Sequence, residues 1–246
     1  MQPKDATILI VEDEPVLREI IAAWFERFAG RVLTAANGGE ALEIVAANPP
    51  DLVVSDVRMP VMDGVTLLKK LRALGDKPPV ILISGFSDTD EREAYDMGAE
   101  AFLHKPMERS DVLETVGRNL ISREELWRTP LNDPPPKMLE MDYPSLSVAL
   151  QELKIAFGRG GFCIATPQHL AEGPIGIRLN FMEEKKVLEG AGVVRWNAPA
   201  ERKSGIELLY LVPDSREWWT KLIAEIGGTA FIPASPAAHG KLAATG

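Results

Sequence analysis

Short apolar runs alternate with amphipathic segments through the first half of the chain. The apolar runs are Thr7–Val11, Val32–Thr34, Leu52–Ser55, Val80–Ser84 and Ala101–His104. The segments between and after them have helical periodicity: Val16–Phe28, Gly39–Ala47, Val65–Leu74, Asp90–Met97 and Arg109–Glu125. The run Leu52–Ser55 shows no polar alternation, as expected of a central strand covered on both faces. The pattern predicts a five-stranded parallel sheet with five helices over residues 1–125.

A proline-rich stretch then interrupts the pattern. Three consecutive prolines, Pro134 to Pro136, cannot continue a helix and favour an extended spacer. We therefore predict a linker over residues 126–142, followed by a second domain over residues 143–228.

The second half is dominated by strand patterns. In Ile175–Phe181, apolar residues alternate with Arg178 and Asn180, which indicates a half-buried strand. Further strands are predicted at Phe162–Thr166, Val187–Trp196 and Gly205–Leu211, after a short helix at Ser145–Glu152.

A terminal helix is predicted to follow the strands. It begins near Pro213, with Asp214 as the N-cap and Glu217 three residues later. Trp218 and Trp219 lie on its apolar stripe, where aromatic residues are typical of a core or an interface. Residues 229–246 are rich in Gly, Ala, Pro and Ser, and we predict a disordered tail there.

Composition and charge narrow the class of protein. The 246 residues carry a formal net charge of −9, which disfavours DNA binding because the overall field repels phosphate. No apolar stretch is long enough for a membrane span, and no signal segment is present, so we expect a cytoplasmic protein. The single cysteine, Cys163, lies between Phe162 and Ile164 and is expected to be a buried strand thiol.

Three carboxylates fall at the ends of predicted strands. Glu12 and Asp13 follow the first strand, and Asp56 ends the third. The carboxyl ends of parallel strands share one edge of a sheet, so the three should converge there. Clustered carboxylates favour a hard divalent cation such as Mg²⁺.

Two further polar residues end strands at the same edge. Ser84 closes the fourth strand, and Lys105 follows the fifth. A hydroxyl and an ammonium facing a carboxylate and Mg²⁺ form a phosphoryl-transfer site, in which the carboxylate attacks and the cations neutralise the transferred group.

These residues carry a family resemblance. The chain resembles the receiver domains of response regulators from Ala6 to about Ser122. The matching motifs are Ile8-Leu-Ile-Val-Glu-Asp-Glu-Pro15, Val54-Ser-Asp-Val-Arg-Met-Pro60 with Asp63-Gly64, Ile83-Ser-Gly85 and Lys105-Pro106. The resemblance implies a flavodoxin-like fold and phosphorylation of Asp56 by a sensor histidine kinase.

The resemblance also implies roles for the other site residues. Asp13, Asp56 and the backbone carbonyl of Arg58 would ligate Mg²⁺, with Glu12 acting through water. Lys105 would pair with the phosphate, and its peptide bond to Pro106 is expected to be cis. Ser84 would bind a phosphoryl oxygen, and Phe102 would be the aromatic residue that switches inward.

The second half resembles a PilZ-type β-barrel followed by a helix. The likeness rests on the segments Gly158–Thr166, Gly176–Phe181, Gly190–Trp196 and Ser204–Leu211. PilZ domains bind cyclic di-GMP through an Arg-x-x-x-Arg segment and an Asp/Asn-x-Ser-x-x-Gly turn. Here the turn aligns with Ala156–Gly161, which retains only the last glycine.

The arginine segment is also altered. Arg123 and Arg128 are separated by one residue too many, and we assign them to the end of the last receiver helix. Arg159 is a weak candidate for a ligand contact. We therefore expect little or no binding of cyclic di-GMP, and a role for this domain in binding a downstream protein partner.

The alternatives fall into three classes. The first is a true cyclic di-GMP effector with unusual ligand determinants. The second is a transcription factor, which the acidic balance and the lack of a helix-turn-helix pattern disfavour. The third is an enzyme, for which the scattered His104, His169 and His239 offer no support. Homodimerisation is left open.

Overall fold

The computed structural model describes residues 3–75, 77–85, 90–166 and 169–235. The chain divides into two compact units, Met1–Ser122 and Arg123–Gly246.

The first unit is a doubly wound α/β domain. Its strands are β1 (Thr7–Val11), β2 (Arg31–Ala35), β3 (Leu52–Asp56), β4 (Val80–Ser84) and β5 (Ala101–His104). Its helices are α1 (Pro15–Phe25), α2 (Gly38–Ala47), α3 (Gly64–Leu74), α4 (Glu91–Asp96) and α5 (Arg109–Leu120), after a 3₁₀ turn at Pro3–Asp5. All strand pairs are parallel, in the order β2-β1-β3-β4-β5. The predicted flavodoxin-like fold is confirmed.

The burial of the central strands explains why their positions could be predicted from the sequence. Every residue of β3 and β4 is buried, as continuous apolar runs predict for strands covered on both faces. Side chains at three helix N-termini define where the helices begin, because Asn37, Asp63 and Asp90 each accept hydrogen bonds from backbone amides of the first turn. The loops between these strands and helices are therefore fixed at the sheet edge that carries the acidic residues.

A buried ion pair joins α3 to the residue that precedes β5 in the first unit. The guanidinium of Arg72 lies 2.7 Å from the carboxylate of Glu100, and both side chains are almost fully buried. Arg72 also donates to the carbonyls of Gly98 and Pro78, and Glu100 accepts from the amide of Val80. The pair therefore satisfies backbone groups around β4 that would otherwise lose their water.

The second unit is built on a six-stranded sheet. Its strands are β6 (Met138–Tyr143), β7 (Ile155–Phe157), β8 (Gly161–Ala165), β9 (Gly173–Phe181), β10 (Lys186–Ala198) and β11 (Lys203–Leu211). Its helices are α6 (Arg123–Leu126), α7 (Leu146–Gln151) and α8 (Pro213–Ile226), with a 3₁₀ turn at Pro199–Glu201. The strand order is β6-β9-β10-β11-β8-β7, with β6 parallel to β9 and the other pairs antiparallel.

This sheet curls as a half-barrel and does not close. Within the described residues β6 and β7 are its outer strands, and they do not pair with each other. The predicted small β-barrel is therefore corrected to a half-barrel. The predicted strands at β8 to β11 and the helices α7 and α8 are present, whereas β6 and β7 were not predicted.

Helix α8 covers the core of this unit. Trp219 is fully buried and packs edge-on against Phe157, Phe162 and Trp127. Trp218 lies against the ring of Phe181 at 5.3 Å. Both tryptophans thus serve packing. The predicted cap is wrong, because Val212 occupies the N-cap position and no side chain caps the helix.

The predicted linker over residues 126–142 also needs correction. Trp127 is buried, and its indole N–H donates to the carbonyl of Leu208 at 3.1 Å. Strand β6 begins at Met138, inside the predicted linker, and pairs with β9. Arg123 belongs to the second unit and not to the last receiver helix, which ends at Leu120. The proline run therefore lies within the second unit rather than between the two.

The tail prediction is wrong for its first part. Phe231 and Ile232 are fully buried, and backbone amides of Arg159 and Gly160 donate to the carbonyls of Ala230 and Phe231. Residues 236–246 of the predicted tail lie outside the described residues. Cys163 is buried within β8, as predicted. None of the described helices is long and apolar enough to cross a membrane.

We predict that Glu100→Gln loosens the first unit locally. The substitution leaves the buried Arg72 charge uncompensated, and breaking a buried pair in this way costs about 3–5 kcal/mol. Hydrogen–deuterium exchange of peptides covering β4 and β5 should accelerate on the order of 100-fold. Glu114→Gln, at an exposed position of α5, is the matched control and should leave exchange unchanged. Equal exchange in the two variants would contradict a stabilising role for the pair.

Candidate phosphoacceptor site

Four charged residues meet at the carboxyl edge of the first sheet. Carboxylate oxygens of Glu12, Asp13 and Asp56 lie within 4.8 Å of one another. The ammonium of Lys105 lies 3.0 Å from Asp56 Oδ1 and 3.0 Å from Glu12 Oε2. The structure therefore brings together the acid pair, the strand-end aspartate and the lysine that the sequence placed at one edge.

The backbone positions these side chains tightly. Strand β3 lies between β1 and β4, with Val11 opposite Ser55 and Asp56 opposite Ile83. Gly64 packs directly against the carbonyl of Asp56, where an added Cβ would overlap that oxygen. The glycine after Asp63 is thus required by close approach of the backbone to Asp56. The Lys105–Pro106 bond is cis, as expected.

Burial governs the electrostatics of the two inner carboxylates. Burial raises the pKa of Asp56 above its ordinary value, and the hydrogen bond from Lys105 only partly opposes this. Burial likewise raises the pKa of Glu12, with the same partial opposition from Lys105. Because the pKa values are raised, mild acid protonates these groups sooner than free carboxylates. Cation binding at the cluster should therefore weaken as the pH falls.

The lysine responds in the opposite sense. Burial alone would lower the pKa of Lys105, but its hydrogen bonds to Asp56 and Glu12 outweigh this and raise the pKa. The ammonium therefore stays charged at neutral pH. It supplies a fixed positive charge beside the Asp56 carboxylate.

The cluster fits a hard divalent cation. Its three carboxylates offer oxygen ligands, the donors that Mg²⁺ prefers. Asp13 is exposed and lines an adjacent cleft of about 470 Å³ with Arg58 and Asp63. The cleft leaves room for water molecules and a phosphoryl group beside the carboxylates. The predicted role of the Arg58 carbonyl stays a prediction.

The remaining predicted residues lie around this centre. Ser84 ends β4, is fully buried, and donates to the carbonyl of Gly85 at 3.1 Å. Phe102 is buried in β5, with its ring edge-on to His104 at 5.1 Å. Their roles in phosphoryl binding and switching stay predictions. Arg159 lies in the second unit.

One residue that the sequence analysis missed holds the acidic loop. The guanidinium of Arg18, on α1, donates to the carbonyl of Glu12 at 2.6 Å and to that of Asp13 at 3.2 Å. Because both acceptors are backbone carbonyls, no motif in the sequence signals this contact. Asp63, which caps α3 through the amide of Thr66, also lines the cleft.

Comparison with known proteins agrees with this geometry. The family model described as response regulator receiver domain matches residues 8–117. The chain is 31% identical over 207 residues to the response regulator Rre1 of Synechocystis sp., covering 81% of this chain and 84% of that protein. The chain belongs to the response regulators. These are signalling proteins rather than enzymes.

Other relatives match less than half of the chain. The Regulator of RpoS from Escherichia coli (strain K12) is 41% identical over 101 residues, and the match covers 41% of this chain. The chain spans 30% of the length of that regulator. A crystal structure of a response regulator receiver domain protein from Clostridium thermocellum is 29% identical, with a TM-score of 0.44 and coverage of 47% of this chain and 94% of that one.

We predict that Arg18→Gln weakens Mg²⁺ binding about 10-fold, because partners that orient a ligand loop tune metal affinity by about 10- to 100-fold. Isothermal titration of Mg²⁺ into the full chain measures the dissociation constant. Arg27→Gln, at an exposed position just after the same helix, is the matched control. An unchanged dissociation constant in Arg18→Gln would contradict the positioning role.

Proposed function

We propose that this response regulator is phosphorylated on Asp56 by a sensor histidine kinase and relays the signal through its second unit. The observation that carries the proposal is the Lys105 ammonium, which lies 3.0 Å from Asp56 beside two further carboxylates. This arrangement supplies a nucleophile, a fixed cation and a set of oxygen ligands at one point.

The reaction follows from these groups. A carboxylate oxygen of Asp56 attacks the phosphorus of a phosphohistidine on the kinase. The P–O bond forms as the P–N bond breaks, and the leaving imidazole nitrogen keeps the bonding electron pair. The product is an acyl phosphate on Asp56, and Lys105 offsets part of the charge on its oxygens.

Mg²⁺ fits this chemistry as the resident cation. Asp13 and Asp56 would hold it with the backbone carbonyl of Arg58, and Glu12 would contribute through water. When bound, the ion supplies charge neutralisation between the carboxylates and the phosphoryl oxygens. Asp56 attacks as its carboxylate, and because burial raises its pKa, a bound cation would favour the reactive form.

The phosphoryl group would then shift a two-state equilibrium within the first unit. Ser84 would bind a phosphoryl oxygen, and Phe102 would respond by adopting its inward position. The affected surface would be the face formed by α4, β5 and α5. Support comes from the positions of Ser84 and Phe102, on the two strands that follow β3 in the sheet.

We propose that the second unit is a divergent PilZ-like domain that contacts a protein partner. The turn that aligns with the cyclic di-GMP motif lacks its polar side chains, since Ala156 and Gly158 stand where the acidic or amide residue and the serine would be. Ala156 is also fully buried in β7. The turn therefore lacks the carboxylate or amide and the hydroxyl of the motif, and Arg159 is the polar side chain that it retains.

The placement of Arg123 favours one rival, a cyclic di-GMP effector, because arginine forks grip phosphates. In this structure, however, Arg123 and Arg195 both pair with the fully buried carboxylate of Glu207. A ligand phosphate would have to compete with that carboxylate. We expect weak or no binding in calorimetric titration with cyclic di-GMP, and sub-micromolar binding would establish the rival.

We predict that acetyl phosphate with Mg²⁺ adds one phosphoryl group to the full chain, detected by intact-protein mass spectrometry. Asp56→Asn should add none, because the amide is not a nucleophile for phosphorus. Asp63→Asn, which keeps an oxygen at the cap of α3, is the matched control and should still be modified. Modification of Asp56→Asn to the wild-type extent would contradict the assignment.

A further inference from the structure

In the second unit, a short segment after the last helix packs against a glycine-rich turn of the same unit. Residues 229–233, here called the C-terminal strap, follow α8 and lie on the glycine turn Gly158–Gly161. The amides of Arg159 and Gly160 donate to the carbonyls of Ala230 and Phe231, both at 2.9 Å. Arg159 Nε also donates to the carbonyl of Thr229 at 3.1 Å. These contacts use the strap's backbone and so do not depend on its sequence.

The glycines of the turn are explained by this contact. An added Cβ at Gly160 would overlap the ring of Phe231, and one at Gly158 would crowd the carbonyls of Ala230 and Phe231 and the ring of Pro233. Gly158 and Gly160, within the turn that aligns with the ligand motif, thus form a surface on which the strap lies, here called the cradle. Atoms of the strap therefore occupy the space that side chains at these two glycines would take.

The side chains of the strap supply specificity. Phe231 and Ile232 are both fully buried. The guanidinium of Arg123 lies 4.5 Å from the centroid of the Phe231 ring, and that of Arg159 lies 5.9 Å from it. Two cations against one ring favour an aromatic residue at this position over an aliphatic one.

Two glycines form a hinge that connects the strap to α8. Gly227 and Gly228 separate it from α8, and both have positive φ values, 61° and 129°. Neither glycine meets another atom where a Cβ would be placed. The connection is therefore free of packing constraints at the point where the strap would have to swing away.

We propose that the cradle is the partner-binding surface of the second unit and that the strap is its occupant in cis. The partner would supply an extended segment with an aromatic residue followed by an aliphatic one, in place of Phe231 and Ile232. The inference rests on the proposed role of this unit as an interaction module. It assigns that role a surface, a ligand chemistry and an autoinhibitory contact.

The test separates the strap from the chain after folding. A protease site is inserted between Gly227 and Gly228 of the full chain, and the purified protein is cleaved. A fluorescein-labelled peptide with the sequence of residues 228–235 is then added, and binding is followed by anisotropy. A tethered occupant competes at an effective concentration of about millimolar. The uncut chain should therefore bind the peptide at least about 10-fold more weakly than the cleaved chain.

Two matched substitutions define the site. A peptide carrying F231A should not bind the cleaved chain, because the ring between the arginines is lost. Gly160→Ala in the protein should abolish peptide binding, because its Cβ takes the space of the ring. Gly117→Ala, in α5 of the first unit where a Cβ meets only ordinary contacts, should leave binding unchanged.

Several results would overturn the proposal. The first is equal binding of the peptide to the cut and uncut chains. The second is no binding of the peptide to a cleaved chain whose near-ultraviolet circular dichroism is unchanged. The third is loss of the near-ultraviolet circular dichroism signal on cleavage. The last would show that the strap is part of the core rather than a ligand. None of these measurements involves phosphorylation, so their failure leaves the proposal for Asp56 untouched.

Discussion

The contact between the Lys105 ammonium and the carboxylates of Asp56 and Glu12 is the interaction that holds the acidic site of the first unit together. Three carboxylates at one sheet edge repel one another. Burial further destabilises the charged forms of Asp56 and Glu12 and thereby raises their pKa values. The lysine offsets part of that cost. The acidic cluster still carries an excess of negative charge, which a divalent cation can relieve.

The fold supplies this contact from distant parts of the sequence. Glu12 and Lys105 are 93 residues apart and meet because β1 and β5 end at the same edge of a parallel sheet. Arg18 fixes the carbonyls of the acidic loop, and Gly64 lets the backbone approach Asp56. The chemical groups are few, and most of the surrounding structure serves to position them.

The first unit could be predicted from the sequence because its signals are local. Continuous apolar runs such as Val80–Ser84 identify buried strands, and topology then brings their polar end residues together. Arg18 escaped prediction because its partners are backbone carbonyls, which leave no mark in the sequence.

The second unit was harder to predict from the sequence, because the features that were missed depend on long-range packing. Strand β6 alternates polar and apolar residues beside a proline run, and its pairing with β9 is set by residues some 38 positions away. Phe231 and Ile232 stand alone in a Gly-, Ala- and Pro-rich stretch, where composition indicates disorder. Phe231 packs on the glycine turn Gly158–Gly161, which the resemblance aligned with a ligand motif that this chain does not retain.

The measurement that tests the central claim most directly is ¹⁹F NMR of the full chain with beryllofluoride, a mimic of the phosphoryl group. The account predicts a resonance of bound fluoride that requires Mg²⁺, is absent in Asp56→Asn, and persists in Phe231→Ala. A bound resonance in Asp56→Asn equal to that of the wild type, or none in the wild type with Mg²⁺ present, would contradict it.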